Sequence, residues 1–358
     1  MKCRVIALYL PQFHPIEENN KWWGEGFTEW TNVAKAKKFF KNHNQPHIPA
    51  DLGFYDLRLS ESREAQANMA KKFGIEGFCY WHYWFGNGKK LLERPFEEVL
   101  KTRKPDFPFC LAWANHSWEK KSWNPDGKGN KILIEQNYPG KEDIINHFYY
   151  LLPAFKDKRY VRVNGRCFFG IYSPLTFNDV DVFISIWNKL ATKNGLKEFY
   201  FVGFGGRQEK ERILEKGFDA VNDTSIFGIK DHQSKCGLII KKIIARFFKY
   251  PLRFKYNDAI KYMTDKSHKE INTIPTIVPS WDHTPRSGKK GIVLEDSNPR
   301  AFKKHVESIV DEIKDKPFEE RIVLLKSWNE WGEGNYIEPD LEYGKAKLEK
   351  LYEVIRDE

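Results

Sequence analysis

Eight short apolar runs, spaced along the whole chain and several of them separated by stretches of helical periodicity, constrain this sequence more than any other feature. They are Val5 to Leu10, Gly77 to Trp84, Phe109 to Trp113, Cys167 to Tyr172, Phe199 to Phe204, Ala220 to Val221 with its flanks, Ile274 to Ser280, and Ile322 to Ser327. Runs of this length reading as continuously apolar suit strands buried on both faces. Between them, Arg63 to Phe73, Phe183 to Ala191, Gln208 to Lys216 and Phe302 to Ile313 read as amphipathic helices, and Leu348, Leu351, Tyr352 and Ile355 mark a last one. Strand and helix alternating eight times is the pattern of an α/β fold, the (β/α)8 or TIM barrel. At 358 residues there is length for two average domains. The pattern instead predicts a single domain over residues 1–358, with long βα loops and an insertion around residues 230–270.

Hydrophobic residues make up 41% of the chain, enough for a real core, while 15% aromatic content with twelve Trp exceeds what packing alone needs. Aromatic planes outside a core serve as binding surface, and sugars offer flat C–H faces to them. The formal charge of +10 comes from 59 basic residues diluted by 49 acids. No block of five like charges and no nucleic-acid-binding pattern accompanies it, so no nucleic-acid partner is expected. Lys2 and Arg4 precede only six apolar residues before Pro11, which is too short for a secretory signal. No run reaches membrane-spanning length, and the five cysteines (Cys3, Cys79, Cys110, Cys167, Cys236) lack paired spacing. These features predict a mature start and a cytoplasmic location, with the inner face of the membrane as a variant of it.

A barrel keeps its chemistry at the C-terminal ends of its strands. There the first run leads into Gln12, Phe13 and His14 and then a loop holding Trp22, Trp23, Glu29 and Trp30. The second run carries Trp81 and His82, and the third reaches Trp113, Asn115, His116 and Trp118. The seventh ends in Trp281, Asp282 and His283. The eighth opens into Trp328-Asn329-Glu330-Trp331-Gly332-Glu333-Gly334-Asn335-Tyr336-Ile337-Glu338-Pro339. The candidate substrate-binding set is therefore His14, Trp81, His82, Trp113, Asn115, His116, Trp118, Trp281, Asp282, Asn329, Trp331, Tyr336 and Glu338. Taken singly, each histidine fits a satisfied core position equally well, and that is the reading adopted for His283. Trp22, Trp23 and Trp30 fit loop-pinning as well as sugar stacking.

Glu330 and Glu333 are the candidate catalytic residues. Glycosidic bond cleavage needs one protonated group for the leaving oxygen and one basic group opposite, which two carboxyls of separated pKa supply. Gly332 and Gly334 would let the backbone kink so that both acids face one pocket. The competing interpretation is an acid cluster favoured by the start of the last helix. No HxH or HExxH pattern occurs, and Pro46 between His43 and His47 argues against a helical histidine pair, so neither metal nor cofactor is expected.

Between the sixth and seventh runs, Leu238, Ile239, Ile240, Ile243, Ile244, Phe247 and Phe248 alternate with Lys241, Lys242, Arg246 and Lys249. The favoured expectation is an outer barrel helix with this stripe on the core. The alternative is peripheral contact of residues 238–250 with an anionic membrane.

Leu10-Pro11-Gln12-Phe13-His14-Pro15 with Trp22-Trp23-Gly24 and Phe27-Thr28-Glu29-Trp30, the run Gly77 to Phe85, and Trp328-Asn329-Glu330-Trp331 through Glu338-Pro339 resemble the WbsX family. Its members are described as glycosyltransferases of lipopolysaccharide O-antigen or capsule synthesis. That family is similar in turn to glycoside hydrolase family 99, retaining endo-α-mannosidases and endomannanases with a (β/α)8 fold. The resemblance implies that Glu330 takes the proton of the sugar 2-OH and Glu333 serves the leaving oxygen, through a 1,2-anhydro sugar. Two departures bear on substrate identity: Gly332 stands where family 99 has a histidine, and Asn115-His116-Ser117-Trp118 replaces an Asn-Glu-Asn-Trp pattern.

The expectation is thus a retaining enzyme that cleaves or transfers α-mannosyl-like linkages of a bacterial surface polysaccharide, with an oligo- or polysaccharide partner that includes lipid-linked glycans. A nucleotide-sugar glycosyltransferase and a non-catalytic carbohydrate-binding protein are the alternatives. The first of these lacks a glycine-rich nucleotide loop, and its metal motif has a counterpart only in Asp179-Val180-Asp181.

Overall fold

The computed structural model describes residues 1–120, 131–230 and 233–357. Eight barrel strands follow one another: β1 (Arg4–Tyr9), β2 (Gly77–Trp84), β3 (Phe109–Trp113), β4 (Arg166–Ile171), β5 (Tyr200–Gly205), β6 (Ala220–Asp223), β7 (in two pieces, Thr273–Ile274 and Thr276–Ile277) and β8 (Ile322–Leu325). Each pairs in parallel with the next, and β8 returns to β1 through Arg4↔Ile322 to Ala7↔Leu325. The ring therefore closes, as the alternation predicts. Its side chains are almost wholly buried because both faces are covered.

The split in β7 has a local cause. Pro275 offers no N–H to a ladder, and the first piece of β7 pairs with β6 while the second pairs with β8. Asn222 on β6 bridges the break, donating through Nδ2 to the Ile274 carbonyl and to Thr276 Oγ1, both at 3.0 Å.

Nine helices are labelled in chain order: α1 (Ser60–Lys72), α2 (Arg94–Thr102), α3 (Lys141–Phe155), α4 (Val180–Lys193), α5 (Lys210–Leu214), α6 (Lys235–Phe248), α7 (Tyr256–Met263), α8 (Pro299–Ile313) and α9 (Ala346–Ile355). α8 buries Phe302, Val306, Ile309, Val310 and Ile313, the stripe read from sequence. α2, α3 and α7 are additions to that reading. α3 carries Pro153 two residues before its end, where a proline usually argues against a helix, yet it buries Ile144, His147, Phe148 and Leu151 at helical spacing.

The expectation for α6 as an outer helix with its apolar stripe on the core is corrected. None of its residues is buried, and Ile239, Ile240, Ile243, Ile244, Phe247 and Phe248 are all exposed. The packed helix in this insertion is α7, which buries Tyr256, Ala259 and Met263. With Ile229, Phe254, Val278, Trp281 and Leu294 they form a second, smaller core. A parallel ribbon of Leu252–Lys255 on Ile292–Glu295 ties the insertion to the loop after β7. Among the described residues no helix is long and apolar enough to cross a membrane.

Candidate active site

Beyond β8 the chain makes a two-residue ribbon, Asn329–Glu330 against Asn335–Tyr336, joined by the tight turn Trp331–Glu333. Gly334 closes that turn in the left-handed region, with φ of +54°, and a Cβ there would sit 2.8 Å from the Asp282 nitrogen. That nitrogen donates to the Glu333 carbonyl at 2.8 Å, so the β7 and β8 ends are stitched together where the acids emerge.

Gly332 works differently from the kink expected of it. Its φ is ordinary, but a Cβ on it would lie 1.6 Å from Glu29 Oε1. The missing side chain leaves room for a third carboxylate. Glu29 opens the short helix Glu29–Lys35, which packs on the turn Trp331–Glu333, and it is fully buried with Oε2 unpartnered.

Arg286 joins the three acids. It arrives on the turn Thr284–Ser287 after β7 and donates from Nε to Glu29 Oε1 at 2.9 Å, from Nη1 to Glu333 Oε1 at 2.5 Å and from Nη2 to Glu330 Oε2 at 3.0 Å. Asp282 sets that turn: its Oδ1 accepts from the Thr284 N–H (2.9 Å) and hydroxyl (2.6 Å), while Oδ2 accepts from Gln45 Nε2 (2.6 Å) and meets His43 Nε2 at 2.7 Å. His283 stands 3.6 Å from Glu333 Oε1, with its other ring nitrogen held by Ser287 Oγ at 2.7 Å.

Three carboxylates around one guanidinium, Glu29 and Glu330 buried and Glu333 partly so, cannot all ionise at low cost, and the surroundings sort the two on β8's extension. Burial and the charge on Glu333 push Glu330 up to about 7, against the pull of Arg286. Burial also works against ionised Glu333, but Arg286 and then His283 overcome it and hold Glu333 below the ordinary carboxylate range. Glu330 is thus biased toward its protonated form and Glu333 toward its charged one, the kind of separation that acid–base chemistry on a glycosidic oxygen uses.

An aromatic wall stands beside the acids. Burial and the charges of the acid pair raise the Tyr83 and Tyr172 phenols, Tyr172 to about 12. Tyr172 meets the edge of Trp81 at 5.5 Å and lies 5.2 Å from the exposed His116, and Tyr83 meets Trp118 edge-on at 5.1 Å. The structure therefore brings Trp81, His116 and Trp118 to the acids through two tyrosines.

The other candidates sit in the packed layer that supports this surface. Asn329 clasps Leu10 through both its carbonyl (2.8 Å) and amide (3.1 Å) groups. Trp331 stacks on Tyr336 at 3.7 Å, and Tyr336 donates to Asp340. Glu338 accepts from Trp331 Nε1 at 2.6 Å, Gln66 Nε2 at 2.7 Å and the Tyr55 hydroxyl at 2.9 Å. Asn115 is bound to Tyr138 and Ser173, and the Trp113 indole donates to the Trp84 carbonyl. His82 pairs with His147 at 2.8 Å, burial lowering its pKa to about 3. His14 is buried with Nδ1 unpartnered, its pKa pulled down by that burial to about 4. Trp281 is buried and stacks on His283 at 6.1 Å, and Trp30 pins its loop by donating to the Tyr55 carbonyl. Among the described residues no group of three or more His, Cys, Asp or Glu is placed to hold a metal ion.

Arg286, Glu29, Tyr83 and Tyr172 are additions to the candidate set. Glu29 carried a signal, an acid between Thr28 and Trp30 in a tryptophan-rich loop, whereas nothing around Arg286 in the sequence marks it.

The family described as "Glycosyltransferase WbsX" matches residues 5–351. Two proteins of Xanthomonas campestris pv. campestris, from strains B100 and ATCC 33913 and both described as "Uncharacterized protein WxcX", are 32% identical over 350 residues. That alignment covers 98% of this chain but 49% of each relative, so the chain spans about half their length. Among solved structures, a "Glycoside hydrolase-like protein" superposes with a TM-score of 0.64 at 15% identity, covering 99% of this chain and 94% of that one. The family 99 endo-alpha-mannosidase from Bacteroides thetaiotaomicron does so with 0.60 at 14% identity, covering 98% and 95%.

Proposed function

The chain belongs to the WbsX glycosyltransferase family, and on that premise we propose that it is a carbohydrate-active enzyme that cleaves or transfers glycosyl linkages of a bacterial surface polysaccharide, with Glu330 and Glu333 as its acid–base pair. The observation that carries this reading is the sharing of Arg286 by two carboxylates, one buried and one partly buried, with opposite pKa displacements at the C-terminal end of β8. The α-mannosyl class of substrate is taken from the family 99 neighbour.

The chemistry follows from the charges. Ionised Glu333 takes the proton of the sugar 2-OH, O2 attacks C1, and the bond from C1 to the leaving oxygen breaks as Glu330 gives that oxygen its proton. A water or sugar hydroxyl then opens the 1,2-anhydro ring at C1, passing its proton to Glu330 while Glu333 returns one to O2. Two inversions at C1 give net retention, and the second acceptor decides between hydrolysis and transfer. This order of roles is the reverse of the one the family resemblance implies.

The test offers α-mannosyl oligosaccharides and lipid-linked glycans to the wild type, Glu330→Gln and Glu333→Gln, with and without a nucleotide sugar. Turnover surviving both substitutions would sink the proposal. An aryl α-mannoside with a good leaving group then orders the roles, because it needs little protonation. Glu330→Gln is expected to keep most of its rate on that substrate and Glu333→Gln to lose it, with the opposite pattern restoring the order implied by the family. The family's description favours a second reading, a nucleotide-sugar-dependent transferase, which strict dependence on the nucleotide sugar would establish.

A further inference from the structure

A helix on the surface of a barrel ordinarily turns its apolar stripe inward. α6 does the reverse. At about 100° per residue, Ile239, Ile240, Ile243, Ile244, Phe247 and Phe248 occupy about half of the circumference, and all six are exposed, Phe247 by 79%. The contacts that hold the helix come from the other side: Leu238 packs against the second core, and Lys241 donates to the Arg253 carbonyl at 3.1 Å and lies over the Phe254 ring. Lys235, Lys242, Arg246 and Lys249 are exposed and flank the apolar arc.

The helix itself carries charge of one sign, while Arg253 and Lys255 beyond its end are paired with Glu295 and Asp296 of the facing ribbon. From residue 233 to residue 257 there are seven lysines and arginines and no aspartate or glutamate. Two copies meeting through this face would bring these charges together, which opposes self-association. An apolar arc flanked by lysine and arginine matches instead the boundary between acyl chains and anionic headgroups.

We propose that α6 is an interfacial helix that docks the protein on an anionic lipid surface, with the six apolar side chains inserted and the lysines and Arg246 at headgroup level. The placement in the fold gives docking a consequence. α6 follows the C-terminal end of β6, and the ribbon that anchors its far end is continuous with the loop that delivers His283 and Arg286. Between insertion and loop lies a cavity of about 310 Å³ bordered by Ile229, Lys230, Trp281, His283 and Lys290. The lipid-facing helix and the acid cluster thus belong to the same end of the barrel. If the proposed function holds, the sugars reached there are carried at the bilayer surface; the docking itself does not depend on that reading.

The test is flotation of the whole chain with phosphatidylcholine vesicles and with vesicles in which a third of the lipid is phosphatidylglycerol. The wild type is expected to float with the anionic vesicles and to release as salt is raised. Phe247→Glu with Ile243→Glu should weaken binding more than tenfold, and Lys242→Glu and Arg246→Glu about fivefold per charge removed. Because these side chains are exposed, the thermal midpoint of each variant should match the wild type, which separates lost docking from lost folding. Absence of binding to anionic vesicles overturns the proposal. So does a concentration-dependent dimer by light scattering that Phe247→Glu dissolves, since the face would then be covered by a second copy.

Discussion

Glu330 and Glu338 leave the same segment eight residues apart, and burial raises both to about 7, yet their surroundings could hardly differ more. Glu338 is enclosed by three donors, from Trp331, Gln66 and Tyr55, and its partners are themselves fixed, Gln66 by the Tyr9 hydroxyl. Glu330 is hydrogen-bonded by Arg286, which it shares with Glu333 and Glu29, with Lys326 as a second cation felt by both Glu330 and Glu333. A displaced pKa therefore does not mark a working acid by itself. What distinguishes the two is whether hydrogen-bond donors surround the carboxylate or leave it competing with neighbouring carboxylates for shared cations.

The largest effect that tests this contrast is on turnover. Glu330→Gln and Glu333→Gln are each expected to lower kcat on unactivated glycans by about 10²- to 10⁴-fold, with folding intact by circular dichroism. A Glu338→Gln enzyme should retain most of its turnover, and loss equal to that of Glu330→Gln would erase the distinction.

Next comes the cation. Arg286→Met leaves the three carboxylates without it, and breaking such a cluster costs about 3–5 kcal/mol, read as a fall in the denaturant midpoint. The pH dependence has a definite sign. In the wild type, Glu333 is held below its ordinary value, so its contribution is present above the unfolded value of 4.5 and is lost as pH falls through the folded one. Without Arg286, only His283 and Lys326 remain against burial, so the folded value of Glu333 should rise and the variant should lose most stability toward alkaline pH and recover on acidification. A deficit constant with pH would show that Arg286 acts by packing alone.

Gly332 sharpens the same contrast at smaller scale. Its absent Cβ is the space in which Glu29 Oε1 sits, so Gly332→Ala should destabilise by about 1–3 kcal/mol through overpacking. The loss should be largely recovered when combined with Glu29→Ala, a coupling a double-mutant cycle measures. Additive losses would mean that the glycine answers to something other than Glu29.

The barrel was legible because strand burial on both faces writes a continuous apolar run, and eight such runs have few other solutions. That Glu330 and Glu333 meet was legible because carboxylates among tryptophans and glycines are out of place on a solvated face. Arg286 was not, since one arginine after Asp282-His283-Thr284-Pro285 has no local signature, and its meaning comes from meeting Glu29, 257 residues away. The candidates drawn from strand ends divide between the surface by the acids and the layer beneath it for a related reason. Asn329, Trp331 and Glu338 follow the right strand, but only packing decides which face of a tight turn meets a ligand. The stripe on α6 had the periodicity of a core helix, and periodicity cannot tell which side of a helix touches the protein.

The smallest effect is the most direct comparison of the two glutamates. Glutamine mimics a protonated carboxyl but presents an NH₂ group where a carboxylate accepts. At position 338 that group faces a donor from Gln66, Trp331 or Tyr55, so Glu338→Gln should lose at least one hydrogen bond, about 1–2 kcal/mol. At position 330 the same change removes a charge that Glu333 and Glu29 repel. Glu330, raised from 4.5 to about 7, stabilises the fold fully below 4.5, and that contribution is lost as pH rises through 7. Glu330→Gln does not titrate, so its stability should fall less than that of the wild type between pH 5 and 8 and overtake it at the alkaline end, measured as denaturant midpoints across that range. Two parallel curves would mean that Glu330 is not raised in the folded protein, and the physical case for treating it as the working acid would be gone.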